Sequence, residues 1–329
     1  MSVDASRGGS GTQDGQTRGT ATGVIHDLGY RRYDGPRLGR RRIVAALTWH
    51  SFRAAFGFGR GARAKIVPVI ALIALCLPAV INAFAMSQGN AQIVSYDRYQ
   101  PVLRILVMIL FLAVQAPELV SRDLRSRVLP LYFSRPMRSS DYPLAKYLAF
   151  TAACLVMMEV PLLLLYIGSV VNVHGGSAVW AQTRALIPGL LIGLMWSVVL
   201  AAVSLFLASL TGRRAFATGA VAIFFLLTFT LSEILLQVYS NGIQGPGPDQ
   251  VGPGPIGPEP PVPFADKVAG LFSPFTLFDG VRRSLGGRVM ALNVHDPGSF
   301  GAVYGLVLLA LTAACLAGLF ARYRKARLS

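Results

Sequence analysis

The chain has 329 residues, of which 53% are hydrophobic and only 14% charged, with a mean hydropathy of +0.53. Soluble domains carry about a quarter charged residues, so the shortfall excludes an ordinary soluble globule and points to an all-α polytopic membrane protein. The net charge of +16 raises nucleic acid as a partner, but the arginines gather at the ends of apolar runs, where they set orientation in a bilayer, and no nucleic-acid partner is expected.

Residues 1–39 are polar and basic. The first 23 are rich in Gly, Ser and Thr and lack apolar periodicity, so disorder is expected. The segment YRRYDGPRLGRRR at 30–42 is basic, with a turn signal at Asp34-Gly35-Pro36. The first ~65 residues are hydrophilic, so no cleaved signal peptide is expected. Residues 43–60 then read as an amphipathic helix within an interfacial region 40–65. At 100° per residue Arg42, Trp49, Arg53 and Arg60 share one side, and Val44, Leu47, Phe52, Ala55 and Phe58 the other. That pattern suits a headgroup boundary; a helix on a small soluble core is the alternative.

Six apolar runs follow at about 66–86, 101–120, 144–171, 186–210, 216–239 and 300–321. Each is close to the ~20 residues that cross ~30 Å of hydrocarbon at 1.5 Å per residue. Arg104, near the start of the second, must snorkel or pair. Four basic regions flank these runs: the segment up to Lys65, Arg122 to Arg138, Arg213-Arg214, and Arg322, Arg324, Lys325 and Arg327 in the tail 322–329. All four fall on one side if both termini are cytoplasmic, which gives a multi-pass protein of the plasma membrane in contact with lipid.

Residues 240–299 differ in kind. Residues 241–263 are rich in Pro and Gly and cannot build helix or sheet. Phe264, Val268, Leu271, Phe272, Phe275, Phe278, Val281 and Leu285 recur at helical spacing, broken at Ser273-Pro274. The expectation is two short external helices that either dip into the outer leaflet or cap the span ends.

The chemistry of an enzyme is missing. Cys76, Cys154 and Cys315 lie inside apolar runs at spacings that suit neither a metal site nor a disulfide framework. The four histidines lie outside the expected spans, with no HExxH or CxxC motif, which argues against an intramembrane metalloprotease or a serine protease with a buried histidine. There is no GxxxxGK[ST] loop, and Gly57-Phe58-Gly59-Arg60-Gly61 follows a helix rather than a strand, so it makes a poor nucleotide loop. No catalytic residue, metal or cofactor is expected. Glu159 and Glu233 are acidic residues set within expected spans, and Glu118 lies near the cytoplasmic end of the second. Glu159 either fixes helix packing or lines a substrate pathway; Glu233, nearer the surface, reads as structural.

The segment between the second and third runs carries the strongest pattern. Glu118 ends the second run, Ser121-Arg122-Asp123 follows, and residues 124–133 form a short amphipathic piece with Arg125, Leu129, Leu131, Tyr132 and Phe133. Ser134-Arg135-Pro136, Asp141-Tyr142 and Lys146 complete it. This arrangement resembles the coupling segment of the membrane permeases of ABC-2 type ATP-binding-cassette transporters. The six-span count, the amphipathic helix before the first span and the enlarged segment before the sixth are also similar to that family, and the basic 30–42 segment resembles its actinobacterial members. Ser126-Arg127-Val128-Leu129-Pro130 departs from the Gly-Thr-Leu-Glu-like run of many relatives, which implies an ATPase contact altered in detail.

The resemblance implies a permease, an exporter, driven by a separate cytoplasmic ATPase subunit that binds the ATP, with a second permease copy or a paralogue completing the pathway. The contact would be made by Glu118, Arg122, Asp123, Arg125, Leu129, Leu131, Tyr132, Phe133 and Arg135, and by Arg53 on the amphipathic helix. Two alternatives stand beside it: an ion-coupled secondary transporter, for which Glu159 followed by Pro161 is the one candidate site, and a non-transporting anchor for a cytoplasmic partner.

Overall fold

Six helices are long and apolar enough to cross a membrane. The computed structural model describes residues 35, 39–89, 92–94, 96, 101–125, 137–243, 264–284 and 300–328, and among these there is helix and turn but no strand. In chain order the helices are α1 (Arg40–Ala55), α2 (Arg63–Ser87), α3 (Pro101–Arg125), α4 (Asp141–Val171), α5 (Gly176–Ser209), α6 (Arg214–Ile243), α7 (Phe264–Ala269), α8 (Pro274–Ser284) and α9 (Gly301–Leu328). The spanning helices are α2 to α6 and α9.

α3 is the centre of the bundle. Its apolar window is 78% buried, against 22% in α6 and 28% in α9. Ile105, Met108, Phe111, Leu112 and Ala116 are fully inside, and α1, α2, α5 and α6 all pack on α3. α4 packs mainly on α1, α2 and α5, and α9 on α5 and α8. Water does not drive helices together inside a bilayer, so close backbone approach has to come from small residues. Gly168 of α4 supplies one such contact: a Cβ there would lie 2.6 Å from the Ala83 Cβ of α2.

Several boundaries differ from the sequence reading, and two of them have a local cause. α5 begins at Gly176, ten residues before the expected 186, after a turn at Gly175 with φ 100°. Arg184 and its polar neighbours lower the hydropathy of this stretch without ending the helix. α1 ends at Ala55 rather than continuing to 60. Gly57 adopts φ 75°, and a Cβ there would meet the Ala64 carbonyl oxygen at 2.6 Å, so the chain turns tightly into α2. The glycine-rich 57–61 stretch is therefore a helix-to-helix turn. Phe58, expected on the apolar face, is 53% exposed. α1 keeps its two-faced character up to Ala55: Trp49 is 61% exposed while Leu47, Ser51 and Ala55 are buried against the bundle.

α7 and α8 are packed rather than peripheral. Phe275 and Phe278 of α8 are buried against Trp196 of α5, with ring centroids 5.2 and 5.0 Å apart, and Phe275 also meets Phe225 and Phe229 of α6. Tyr304 of α9 donates to the Lys267 carbonyl at 2.6 Å and fills the space over Gly270 and Gly280. Residues 244–263 and 285–299, with Leu285, lie outside the described residues, as does nearly all of the tail 1–39.

Candidate functional site

The side chains that tie the helices together by charge lie on one face. Glu118 sits on α3 two turns before its end, 8% exposed. Arg60, carried by the turn after α1, places Nη1 2.6 Å from Glu118 Oε1, and its Nη2 donates to the Ala54 carbonyl at 2.5 Å. Arg214, the first residue of α6, places Nη1 2.9 Å from Glu118 Oε2. One carboxylate thus holds two cations from two other segments, one on each oxygen. The Arg60 side chain is 20% exposed and that of Arg214 61%, so solvent screens the second pair more and the first contributes more to stability.

One turn and a half further along α3, Asp123 accepts a hydrogen bond from the Tyr142 hydroxyl and lies 2.9 Å from Lys146 Nζ. Tyr142 and Lys146 are both in the first two turns of α4. Lys146 lies over the Tyr142 ring, and Tyr142 packs on Tyr323 of α9 at 5.1 Å between centroids. The third carboxylate, Asp141, starts α4. It accepts Arg40 Nε at 2.6 Å and Nη2 at 2.5 Å in a fork, and the Arg138 N–H at 2.9 Å. That hydrogen bond holds the Arg40 guanidinium above its ordinary pKa.

Arg322 of α9 completes the layer. It donates to the Ser209 and Leu210 carbonyls at 2.5 and 3.1 Å, satisfying the open end of α5. Ser121 of α3 donates to the Ala208 carbonyl at 2.8 Å. All four basic regions of the sequence therefore meet on a single face, joined by named contacts.

The layer contains part of the expected site. Glu118 and Asp123 are in it. Arg125 is exposed at the end of α3 and lines a cleft with Arg213 and Arg214. Arg122 is in α3. Arg53 is exposed on α1. Leu129, Leu131, Tyr132, Phe133 and Arg135 lie outside the described residues. The amphipathic piece expected at 124–133 gives up its first two residues to α3, which runs on to Arg125. The sequence reading missed Arg60, Arg214 and Arg40 as members, and it placed Asp141, Tyr142 and Lys146 in the segment's pattern without naming them as contact residues. The available signal was Glu118 itself: a carboxylate set inside an apolar helix requires a cation, and Arg213-Arg214 ends a span on the same face.

Glu159 belongs elsewhere. Its carboxyl fits over Gly193 of α5, where a Cβ would lie 2.1 Å from Oε1, and neither oxygen has a hydrogen-bond partner among the described residues. Arg104 does not snorkel. It is 4% exposed, donates from Nε to Met158 Sδ at 2.9 Å and lies 5.8 Å from the Trp196 ring. Among the described residues no group of three or more His, Cys, Asp or Glu is placed to hold a metal ion. No protein-family model matches the sequence, and no curated protein matches it.

Proposed function

We propose that the chain is the membrane-spanning permease subunit of a transporter, an exporter, powered by a separate cytoplasmic ATPase in the manner of the ABC-2 type permeases it resembles. On this reading both termini and the charge layer face the cytoplasm of the cell, and ATP is bound and hydrolysed on the other subunit. The supporting observation is where the ion pairs sit. The segment 126–136 is flanked on one side by Glu118 and Asp123 of α3 and on the other by Asp141, Tyr142 and Lys146 of α4. Through these residues its two anchors are bound to each other, to the start of α1, to the turn into α2 and to the start of α6. A force applied to that segment by a cytoplasmic protein would reach several spans together, which a coupling surface requires.

Leu129, Leu131, Tyr132 and Phe133 would fill a groove on the ATPase, with Arg122, Arg125, Arg135 and Arg53 steering the approach. Six spans enclose little pathway, so a second copy or a paralogue completes it. The test is co-purification. A tagged chain co-expressed with an ATPase subunit, sought first in the adjoining reading frames, should retain it, and Leu131→Asp with Phe133→Asp should release it while membrane insertion is unchanged. Failure of the parent chain to retain any ATPase would defeat the proposal.

One observation favours a second reading, the ion-coupled secondary transporter. The Glu159 carboxyl is buried without a hydrogen-bond partner beside a glycine that leaves it room. Proteoliposomes under an imposed pH gradient decide between the two. A proton flux that Glu159→Gln abolishes supports this second reading; no flux leaves the ATPase-driven one.

A further inference from the structure

An open cleft of about 1120 Å³ lies on the basic face, between the end of α3 and the start of α6. Arg125 forms one wall, and Gly212, Arg213, Arg214, Phe216 and Thr218 are among the residues opposite. Its depth in the membrane is fixed at both ends. The apolar part of α3 stops at Ser121, one turn before Arg125, and Phe216, two residues into α6, is 63% exposed. The cleft therefore sits where hydrocarbon gives way to headgroups.

Its charge selects the ligand. Glu118 is already held by Arg60 and Arg214, and Asp123 by Lys146. Against these two carboxylates stand Arg60, Arg125, Arg213, Arg214 and Lys146, so the surroundings of the cleft keep a positive excess. Planar guanidinium forks match the oxygens of a phosphate. The first residues of the thirty-residue α6, which carry the positive end of its dipole, line the same space, and Thr218 adds a hydroxyl. Among the described residues nothing lies within 4 Å of where a Gly212 side chain would begin.

A second observation separates a lipid from a soluble phosphate. Phe216, Ile223, Leu227 and Ile234 are 63%, 64%, 63% and 52% exposed. At 100° per residue they fall within about 20° of one line along α6. An exposed apolar stripe thus leads away from the cleft along α6 into the membrane. Arg213 lies 5.9 Å from the Phe216 ring, at the junction of cleft and stripe.

We propose that this cleft is a binding site for an anionic phospholipid, its phosphate held by Arg125, Arg213 and Arg214 and its chain lying along the α6 stripe. The proposal needs only that the helices span a bilayer; it does not depend on an ATPase partner.

Native mass spectrometry and thermal melting of the full chain in lipid-free detergent test it, with phosphatidylglycerol, phosphatidylcholine, glycerol 3-phosphate and inorganic phosphate as probes. Phosphatidylglycerol should be retained and should raise the melting temperature; phosphatidylcholine should do neither. Arg125→Gln with Arg213→Gln, which leaves the Arg214–Glu118 pair in place, should weaken phosphatidylglycerol binding about tenfold or more, with unchanged melting in phosphatidylcholine. Should that double variant fold poorly, added salt on the parent chain replaces it, and lipid retention should fall steeply. Equal retention of both lipids, wild-type binding by the folded double variant, or salt-insensitive retention would overturn the site. Glycerol 3-phosphate or inorganic phosphate stabilising the chain as well as the lipid does would overturn the lipid assignment.

Discussion

The molecule treats its carboxylates in two ways. On the basic face Glu118, Asp123 and Asp141 each hold a cation delivered by another segment. In the rest of the bundle Glu159, Glu233 and Asp279 each keep at least one buried oxygen without a hydrogen-bond partner among the described residues. The first set converts charge into connections between helices. The second leaves desolvation uncompensated, and α8 brings Asp279 close enough to Glu233 for the two charges to oppose each other. One region is thus held by ion pairs and the other by shape: Tyr304 over two glycines, and Trp196 against two phenylalanines.

The largest break should come from the paired region. Glu118→Gln removes the acceptor of two arginines and leaves Arg60, four-fifths buried, beside a neutral amide. Loss of one partner of a buried pair costs about 3–5 kcal/mol, and the exposure of Arg214 brings the expectation to about 3 kcal/mol. Denaturation of the purified chain in detergent measures it, and a loss under 1 kcal/mol would show that the clamp does not hold the layer.

Shape is tested at Gly280. An alanine Cβ there would lie 2.2 Å from Tyr304 Cδ2 and 2.6 Å from Cε2, and a buried aromatic ring cannot swing aside. Overpacking of this kind costs about 1–3 kcal/mol. We expect about 2 kcal/mol for Gly280→Ala, read by the same denaturation. An unchanged midpoint would mean that α8 does not pack on α9.

What could be read in advance divides along the same line. Apolar runs of membrane length revealed the six spans, and arginines at their ends revealed which ends share a face, because both follow from local solvation. Hydropathy reports what sits in hydrocarbon, however, and not how far a helix continues past it. That is why α5 begins ten residues earlier than expected. Periodicity fails wherever the helix has stopped: Phe58 and Arg60 were assigned to faces of a helix that ends at Ala55. Their real positions follow from Gly57 and the absence of room for a Cβ. The break between α7 and α8 at Ser273-Pro274 was legible, but not the destination of Phe275 and Phe278, which depends on Trp196 and Phe225 far away in the chain. The partners of Glu118 are long-range in the same sense. A buried carboxylate shows that a cation is needed, not which one.

Titration separates the two regions again. Burial pushes the Asp279 carboxyl up to about 7; Arg282 works against the shift and Glu233 adds to it. Between its ordinary value near 3.8 and about 7 the folded chain keeps a proton that the unfolded chain has released. Stability should therefore fall as pH rises through that window and level off above it. Asp279→Asn should match the parent at about pH 4, exceed it at about pH 8, and flatten the profile between. Parallel melting curves for parent and variant across the range would refute this.

The smallest effect is the sharpest, because it repeats the first substitution at the other kind of site. Glu159→Gln keeps the shape of the side chain over Gly193 and removes the charge, as Glu118→Gln does on the basic face. Here no hydrogen bond to either oxygen is lost, and a neutral amide is cheaper to bury than a carboxylate. The expected change is within about 0.5 kcal/mol, and of either sign, because the new amide N–H₂ itself needs an acceptor. Arg104 is the cation that acts on Glu159. If the two were bound as tightly as Arg60 and Glu118, the substitution would cost about 3 kcal/mol instead. A loss of that size, measured beside Glu118→Gln in the same detergent, would erase the distinction between the regions and make Arg104 and Glu159 a second clamp, placed between α3 and α4 inside the membrane.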